Sequence, residues 1–269
     1  MEKVNIKSYL PFISNEVKSR MSYKVPFFIY MSSQGFTVLV SYFLWKAIYQ
    51  SSLNPVLGGF DFDQMTGYVI ISFFTSAIAS SSPSLLIARE VADGSIAMNL
   101  LKPISYRGRV FAVALGELVV TGLIISIPFM ALFTYLDMIQ WPGLYTGIMY
   151  IISVLLSFGI LFTFTFCFSM LAFYTTYFFG LNIAFMVFVK FFSGALIPIS
   201  FFPGVLAKVF LALPFASMNY TPVMIYLGKM TGNELYQNIA LQLFWVIIFY
   251  GLGSLLWQHA IKRLTILGG

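Results

Sequence analysis

Arg89-Glu-Val-Ala-Asp-Gly-Ser-Ile-Ala-Met-Asn-Leu-Leu-Lys-Pro103 is a charged island between two apolar stretches, each long enough to cross a bilayer. Asp93-Gly94 signals a turn, and Ser95 is expected as a helix N-cap. Ile96 and Leu100, with Ala97 and Leu101 beside them, give a one-sided apolar stripe over two turns. Lys102 complements a helix C-terminus and Pro103 stops the helix. The spacing predicts a short helix over 95–102 lying along the membrane surface. A loop that only connects two spans needs no such order, so the island reads as a contact surface.

Outward from the island the chain is 59% hydrophobic and 9% charged, against about 25% charged residues in a soluble domain. Six apolar stretches lie near 25–45, 65–88, 110–136, 144–173, 178–199 and 236–258, and no strand-like alternation occurs. The expected fold is an all-α membrane protein with six transmembrane helices. Eleven basic residues fall before the first span, between the second and third spans (Arg89, Lys102, Arg107 and Arg109) or after the sixth span; only Lys46, Lys208 and Lys229 fall on the other side. Such a bias places both termini in the cytoplasm and accounts for the net charge of +6 without a nucleic-acid partner. The first 24 residues are polar and basic, and no cleavable signal peptide is expected. The organisation is a segment 1–24, a six-span domain 25–260 and a cytoplasmic tail 261–269.

Residues 9–24 predict an interfacial helix. Pro11 suits its first turn; Ile13, Val17 and Met21 recur at helical spacing, while Asn15, Glu16, Lys18 and Arg20 face elsewhere. Ser80-Ser-Ser-Pro83-Ser predicts a kink in the second span. Trp141 and Tyr145 anchor a short outer loop, and the turn at 174–177 makes spans four and five an antiparallel hairpin. Between spans five and six, Gly194, Pro198, Pro203, Pro214 and Pro222 interrupt an apolar region whose pieces are too short to span. An outer re-entrant helical hairpin over 200–232 is the economical reading. Two charges lie inside the spans, Glu117 and Lys190, about 12 and 18 Å from the inner surface at ~1.5 Å per residue. They pair, line a pathway, or act separately, with Glu117 reaching the inner interface and Lys190 a subunit interface or outer vestibule.

Several chemistries lack their residues. The sequence contains no Gly-x-x-x-x-Gly-Lys-Ser/Thr phosphate loop, no Gly-x-Ser-x-Gly and no His-Glu-x-x-His. Cys167 and His259 stand alone in their residue types, so neither a disulfide nor a Cys/His metal site is expected. The reading is a chain that is not itself an enzyme.

Three stretches carry a family resemblance: Arg89 through Tyr106; Ser193-Gly-Ala-Leu-Ile-Pro-Ile-Ser-Phe-Phe-Pro203; and Leu213-Pro-Phe215 followed by Pro222 and Gly228. In this order the chain resembles the membrane subunit of type-2 ABC transporters, the ABC-2 permeases, most closely the single-domain bacterial branch whose permeases often occur as unlike pairs. The resemblance implies that the island is a coupling helix received by a separate ATP-binding subunit, with Arg89, Glu90, Asp93, Gly94, Leu100, Leu101, Lys102 and Pro103 facing it. It implies a working unit of two ATP-binding subunits and two permeases, the second being an unlike paralogue or another copy. ATP and magnesium then belong to the partner, with no cofactor on this chain, and the assembly exports a substrate across a bacterial cytoplasmic membrane. Rival readings are a secondary transporter coupled through Glu117 and Lys190, and a non-transporting membrane assembly protein.

Overall fold

The computed structural model describes residues 6–22, 24–79, 83–175 and 177–264. Helix α1 (Leu10–Ser22) follows a 3-10 turn at Ile6–Tyr9 and precedes the long α2 (Lys24–Ser51). Next come α3 (Phe62–Ala79), α4 (Pro83–Ala92) and the short α5 (Ile96–Leu100), all ahead of α6 (Tyr106–Leu118). A π-helical stretch (Val119–Ser126) joins α6 to α7 (Ile127–Tyr135), and α8 (Leu144–Ser169) and α9 (Phe178–Phe192) follow. The chain closes with α10 (Gly204–Ala212), α11 (Pro214–Met218), α12 (Tyr220–Tyr226) and α13 (Gly232–Ala260). Among the described residues no strand forms beyond one isolated bridge between Leu57 and Phe60.

Among the described residues four stretches are long and apolar enough to cross a membrane: Phe62–Ala92, Tyr106–Tyr135, Leu144–Phe173 and Gly232–Arg263. Beside them stand α2, 28 residues long, and the shorter apolar α9, with 15. The protein is therefore a helical, multi-pass membrane protein. Its helices bury narrow stripes and leave apolar side chains outside. On α2, Val38 and Trp45 are buried one heptad apart while Phe36, Leu39, Val40, Phe43 and Leu44 are exposed. On α13 the buried residues are Leu235, Gln242, Phe249, Gly253 and Ala260, again close to a seven-residue repeat. Lipid is the solvent for the remaining faces.

Polar groups hold the seams between helices, as expected where burying hydrocarbon gives no driving force. Gln242 of α13 donates to Ser217 O at 2.8 Å and to Ser157 Oγ at 3.1 Å, and accepts from Ser153 Oγ at 3.0 Å. Ser84 donates to Asn182 Oδ1 at 2.7 Å, joining α4 to α9. The kink expected at Ser80–Ser82 lies outside the described residues; Pro83 begins α4.

Span five is shorter than the 178–199 stretch implied. Gly194 takes φ +79° just after α9, in the left-handed region that favours glycine, and a Cβ there would lie 3.1 Å from the Tyr68 hydroxyl. The irregular backbone beyond it is satisfied by α3: Tyr68 donates to Gly194 O at 2.7 Å. Asn219, at the break between α11 and α12, accepts from Ser76 at 2.8 Å and donates to Ser72 at 2.6 Å. Pro214 and Pro222 are buried in the first turns of α11 and α12, where an N–H is not needed. Pro198 and Pro203 sit at the N-caps of a 3-10 turn (Ile199–Phe201) and of α10.

The third span contains a feature the sequence reading missed. The Ile127 N–H bonds Gly122 O, five residues back rather than four, and the Ser126 hydroxyl bonds Thr121 O at 2.6 Å. Pro128 follows immediately. Its ring would clash with the carbonyl four residues earlier in a regular helix, and the wider turn removes that clash.

Helix α1 rests on α6 instead of lying on lipid alone. Two glycines allow the approach. A Cβ on Gly116 would meet Glu16 Cβ at 2.7 Å and Ile13 O at 2.9 Å, and one on Gly108 would meet the Tyr9 ring at 2.8 Å. Glu16, expected to face elsewhere, thus lies on the docking face with Ile13. Gly116→Leu is expected to push α1 off α6 and raise the trypsin cleavage rate after Lys18 several-fold in detergent-solubilised protein. Cleavage at the wild-type rate would show that the close approach is not what holds α1.

Candidate functional site

The island lies at one end of the bundle, together with α1 and the end of α13. At its entry, the Asp93 carboxylate accepts the Ser95 N–H at 2.9 Å. The Ser95 side chain and amide hold that carboxyl below its ordinary range. Gly94 takes φ +75° in open space, so a side chain there meets backbone strain and no steric obstacle. The helix that follows spans five residues, shorter than the expected 95–102, and Ser95 does not cap it: its backbone is helical and its hydroxyl bonds no helix amide. Asp93 instead shapes the turn ahead of the helix, through the Ser95 N–H. Lys102 donates to Asn99 at 2.8 Å and stands 5.8 Å from the Phe12 ring of α1.

Ile96 is 1% exposed and Leu100 is half-buried, so the stripe points inward. It packs with Ile87, Tyr106, Val110, Phe162 and Phe166. Met98 and Leu101 point outward, 69% and 78% exposed. Arg89, Asp93, Gly94, Lys102 and Pro103 are exposed as well. The outer surface is therefore two large apolar side chains ringed by charge, on a turn whose rear is firmly held.

Glu90 departs from the reading that it faces outward. It is 7% exposed, and its carboxylate is taken up inside the protein. Arg109 Nη2 donates to both carboxylate oxygens, at 2.7 and 2.6 Å, and the Tyr106 hydroxyl donates to one at 2.7 Å. A carboxylate removed from water needs such partners. The Tyr106 ring stacks on Trp257 of α13 at 4.8 Å, and the Arg109 guanidinium lies 5.0 Å from that ring. Arg107, beside them, donates to Tyr250 O at 3.0 Å and Ser254 Oγ at 2.8 Å. The island's two flanks, α4 and α6, are thereby tied to each other and to α13. Tyr106, Arg107, Arg109 and Trp257 carry this geometry; the sequence reading counted the two arginines as topological charges only.

The two intramembrane charges are not brought together. Glu117 pairs with Arg20 of α1 at 3.0 Å, and Arg20 also holds Glu16 at 2.6 Å. Lys190 is exposed on α9. The possible Glu117–Lys190 pair is thus corrected: Glu117 belongs to the docking of α1. Gly194, Pro198, Pro203, Pro214 and Pro222 belong to the separate region under α3.

A sequence model of the ABC-2 family transporter protein matches residues 36–268. The chain belongs to that family. No curated protein matches the sequence. The match takes in the island and its buried latch and leaves out α1, whose place is known here from packing alone. As an ABC-2 permease the chain is the membrane component of an ABC transporter, and membership implies association with an ATP-binding subunit.

In this permease, Arg109→Met leaves Glu90 buried without its countercharge, at a cost of about 3–5 kcal/mol. Thermal unfolding in detergent is expected to show a clear loss, with part of it recovered in Glu90→Gln/Arg109→Met. An unchanged melting temperature for Arg109→Met would mean that the pair does not hold this end together.

Proposed function

We propose that this chain is the membrane half of an ATP-driven exporter and that α5 is its coupling helix. Nucleotide binding and hydrolysis, with ATP and magnesium, take place on a separate subunit present in two copies, and this chain itself catalyses nothing. Two permeases complete the unit. The supporting observation is the outward pair Met98 and Leu101 on a turn clamped from behind by Glu90, Arg109 and Tyr106. A small apolar anchor in a charged rim suits a groove on a partner, and a rigid rear passes on any displacement it receives.

In this reading the six spans are α2, α3 with α4, α6 through α7, α8, α9 with the segment after it, and α13. Helices α10 to α12 form the outer element that dips in and returns. The basic residues set the island and both termini in the cytoplasm of a bacterium. Of the residues assigned to the ATPase, Arg89, Asp93, Lys102, Leu101 and Pro103 keep that role and Met98 joins them. Glu90 and Leu100 act from behind by positioning the helix, and Gly94 by its turn. Closure of the ATPases would move α5, and the ties to α6 and α13 would carry that motion into the spans. Proton coupling through Glu117 and Lys190 finds no support in their separate placement.

Met98→Asp/Leu101→Asp tests the reading with little risk to folding, because both side chains are exposed. The permease purified from its native membranes in mild detergent is expected to carry magnesium-dependent ATPase activity. The double variant is expected to lose that activity while melting at the wild-type temperature. Full ATPase activity retained on the double variant would remove α5 from the contact.

A further inference from the structure

Lys190 is the charge that the coupling account leaves unused. It is exposed on α9, and among the described residues its ammonium neither bonds nor pairs with any group. Two measures place it near the middle of the bilayer. From Phe178, where α9 begins, Lys190 is about 18 Å along the helix. From the other side, Tyr68 bonds Gly194 O and so sets Gly194 two turns below Phe62, where α3 begins. Lys190 lies one turn deeper still, about 15 Å from that end. A hydrocarbon core is about 30 Å thick. Helical side chains lean toward the helix N-terminus, which for α9 is the cytoplasmic end. The Lys190 stem therefore turns away from the nearer surface instead of reaching it. A charge at such depth is costly and ordinarily has a partner.

The side of α9 that carries Lys190 suits a helix. Phe178, Asn182 and Val189 are buried and mark the side packed on this chain. On the opposite side Gly180, Ala184 and Val187 are exposed. Two small residues one turn apart let another backbone come close. A second copy of this chain cannot supply the missing negative charge. Asp61, Asp63 and Asp137 line the outer end of the bundle, and Glu234 is in the first turn of α13 at the same end. Glu90 and Asp93 belong to the island. Glu16 and Glu117 share Arg20 under the docked α1. Glu2 falls outside the described residues, in the polar segment ahead of the first span.

We propose that Lys190 pairs with a carboxylate inside a membrane-spanning helix of a second, unlike permease, which lies along the exposed side of α9. The pair rests on the two-permease unit proposed above and settles which kind of partner completes it. Native membranes treated with dicyclohexylcarbodiimide test it, because this reagent enters hydrocarbon and joins a carboxylate to a neighbouring amine. Mass spectrometry of the purified complex is expected to find Lys190 in amide linkage to an Asp or Glu in a membrane-spanning stretch of a different chain. Lys190→Met is expected to abolish the link and to lower recovery of that chain with the tagged permease about tenfold or more, whereas Lys190→Arg keeps it. Lys190 is exposed, so neither substitution disturbs this chain's own packing. If no link forms, the recovery comparison decides. A link to a second copy or to a small cargo, absence of an unlike permease from the wild-type complex, or its full recovery with Lys190→Met would overturn the pair. Magnesium-dependent ATPase activity is read on the same samples. Activity retained beside a second copy alone sinks the pair and leaves the ATP-driven reading; no activity beside a linked, unlike permease does the reverse.

Discussion

The buried pair between Glu90 and Arg109 is the interaction on which this end of the molecule depends. Both side chains are removed from water, and each is acceptable there only because of the other. Such a pair adds little net stability over an apolar replacement, so its contribution is direction. It fixes the end of α4 against the start of α6, and the chain between them must then emerge as a tight turn. Asp93, Gly94 and Lys102 shape that turn, and Ile96 plugs its rear. Only after these constraints are met do Met98 and Leu101 face outward. Through Tyr106 and Trp257 the same pair reaches α13, so one polar contact organises three helices.

The body of the bundle obeys a related constraint. Irregular backbone surrounded by lipid must find partners inside the protein. Asn219 and the residues after Ser193 do so through Ser72, Ser76 and Tyr68 of α3. Gln242 does the same for the carbonyl of Ser217. These bonds let α11 and α12 be short and buried beside long spans. Glu117, which looks costly as a lone carboxylate inside a span, has its partner in Arg20, and so the N-terminal helix is anchored to a membrane-spanning one.

Local signals in the sequence were legible, and signals that depend on distant partners were not. The apolar runs, the Gly194 turn, the prolines and the island's order are all encoded within a few residues of where they act. Helical periodicity could not tell which of Glu90 and Asp93 turns inward, because the answer lies with Arg109, nineteen residues on. Glu117 finds its partner in α1, far back in the chain, so its position along the span gave no guide to the pairing. Gly108 and Gly116 were visible as residues but not as a dock, since a glycine does not say what approaches it. The π-helical stretch follows from Pro128, and weighing that proline would have found it. Ser95 misled because its own backbone is already helical, and Asp93 two residues earlier takes its N–H.

If the latch works as described, the island and the ends of α6 and α13 move as one body when the ATP-binding subunit closes. The direct measurement is a spin-label distance on a Cys167→Ser background, with labels at Met98→Cys on α5 and Gln258→Cys on the exposed side of α13. It is made in the complete complex, without nucleotide and with ATP and vanadate, and repeated with the second label moved to Trp141→Cys at the far end. The account predicts an unchanged distance between 98 and 258 and a changed one between 98 and 141. A shift between 98 and 258, with 98 to 141 constant, would contradict it.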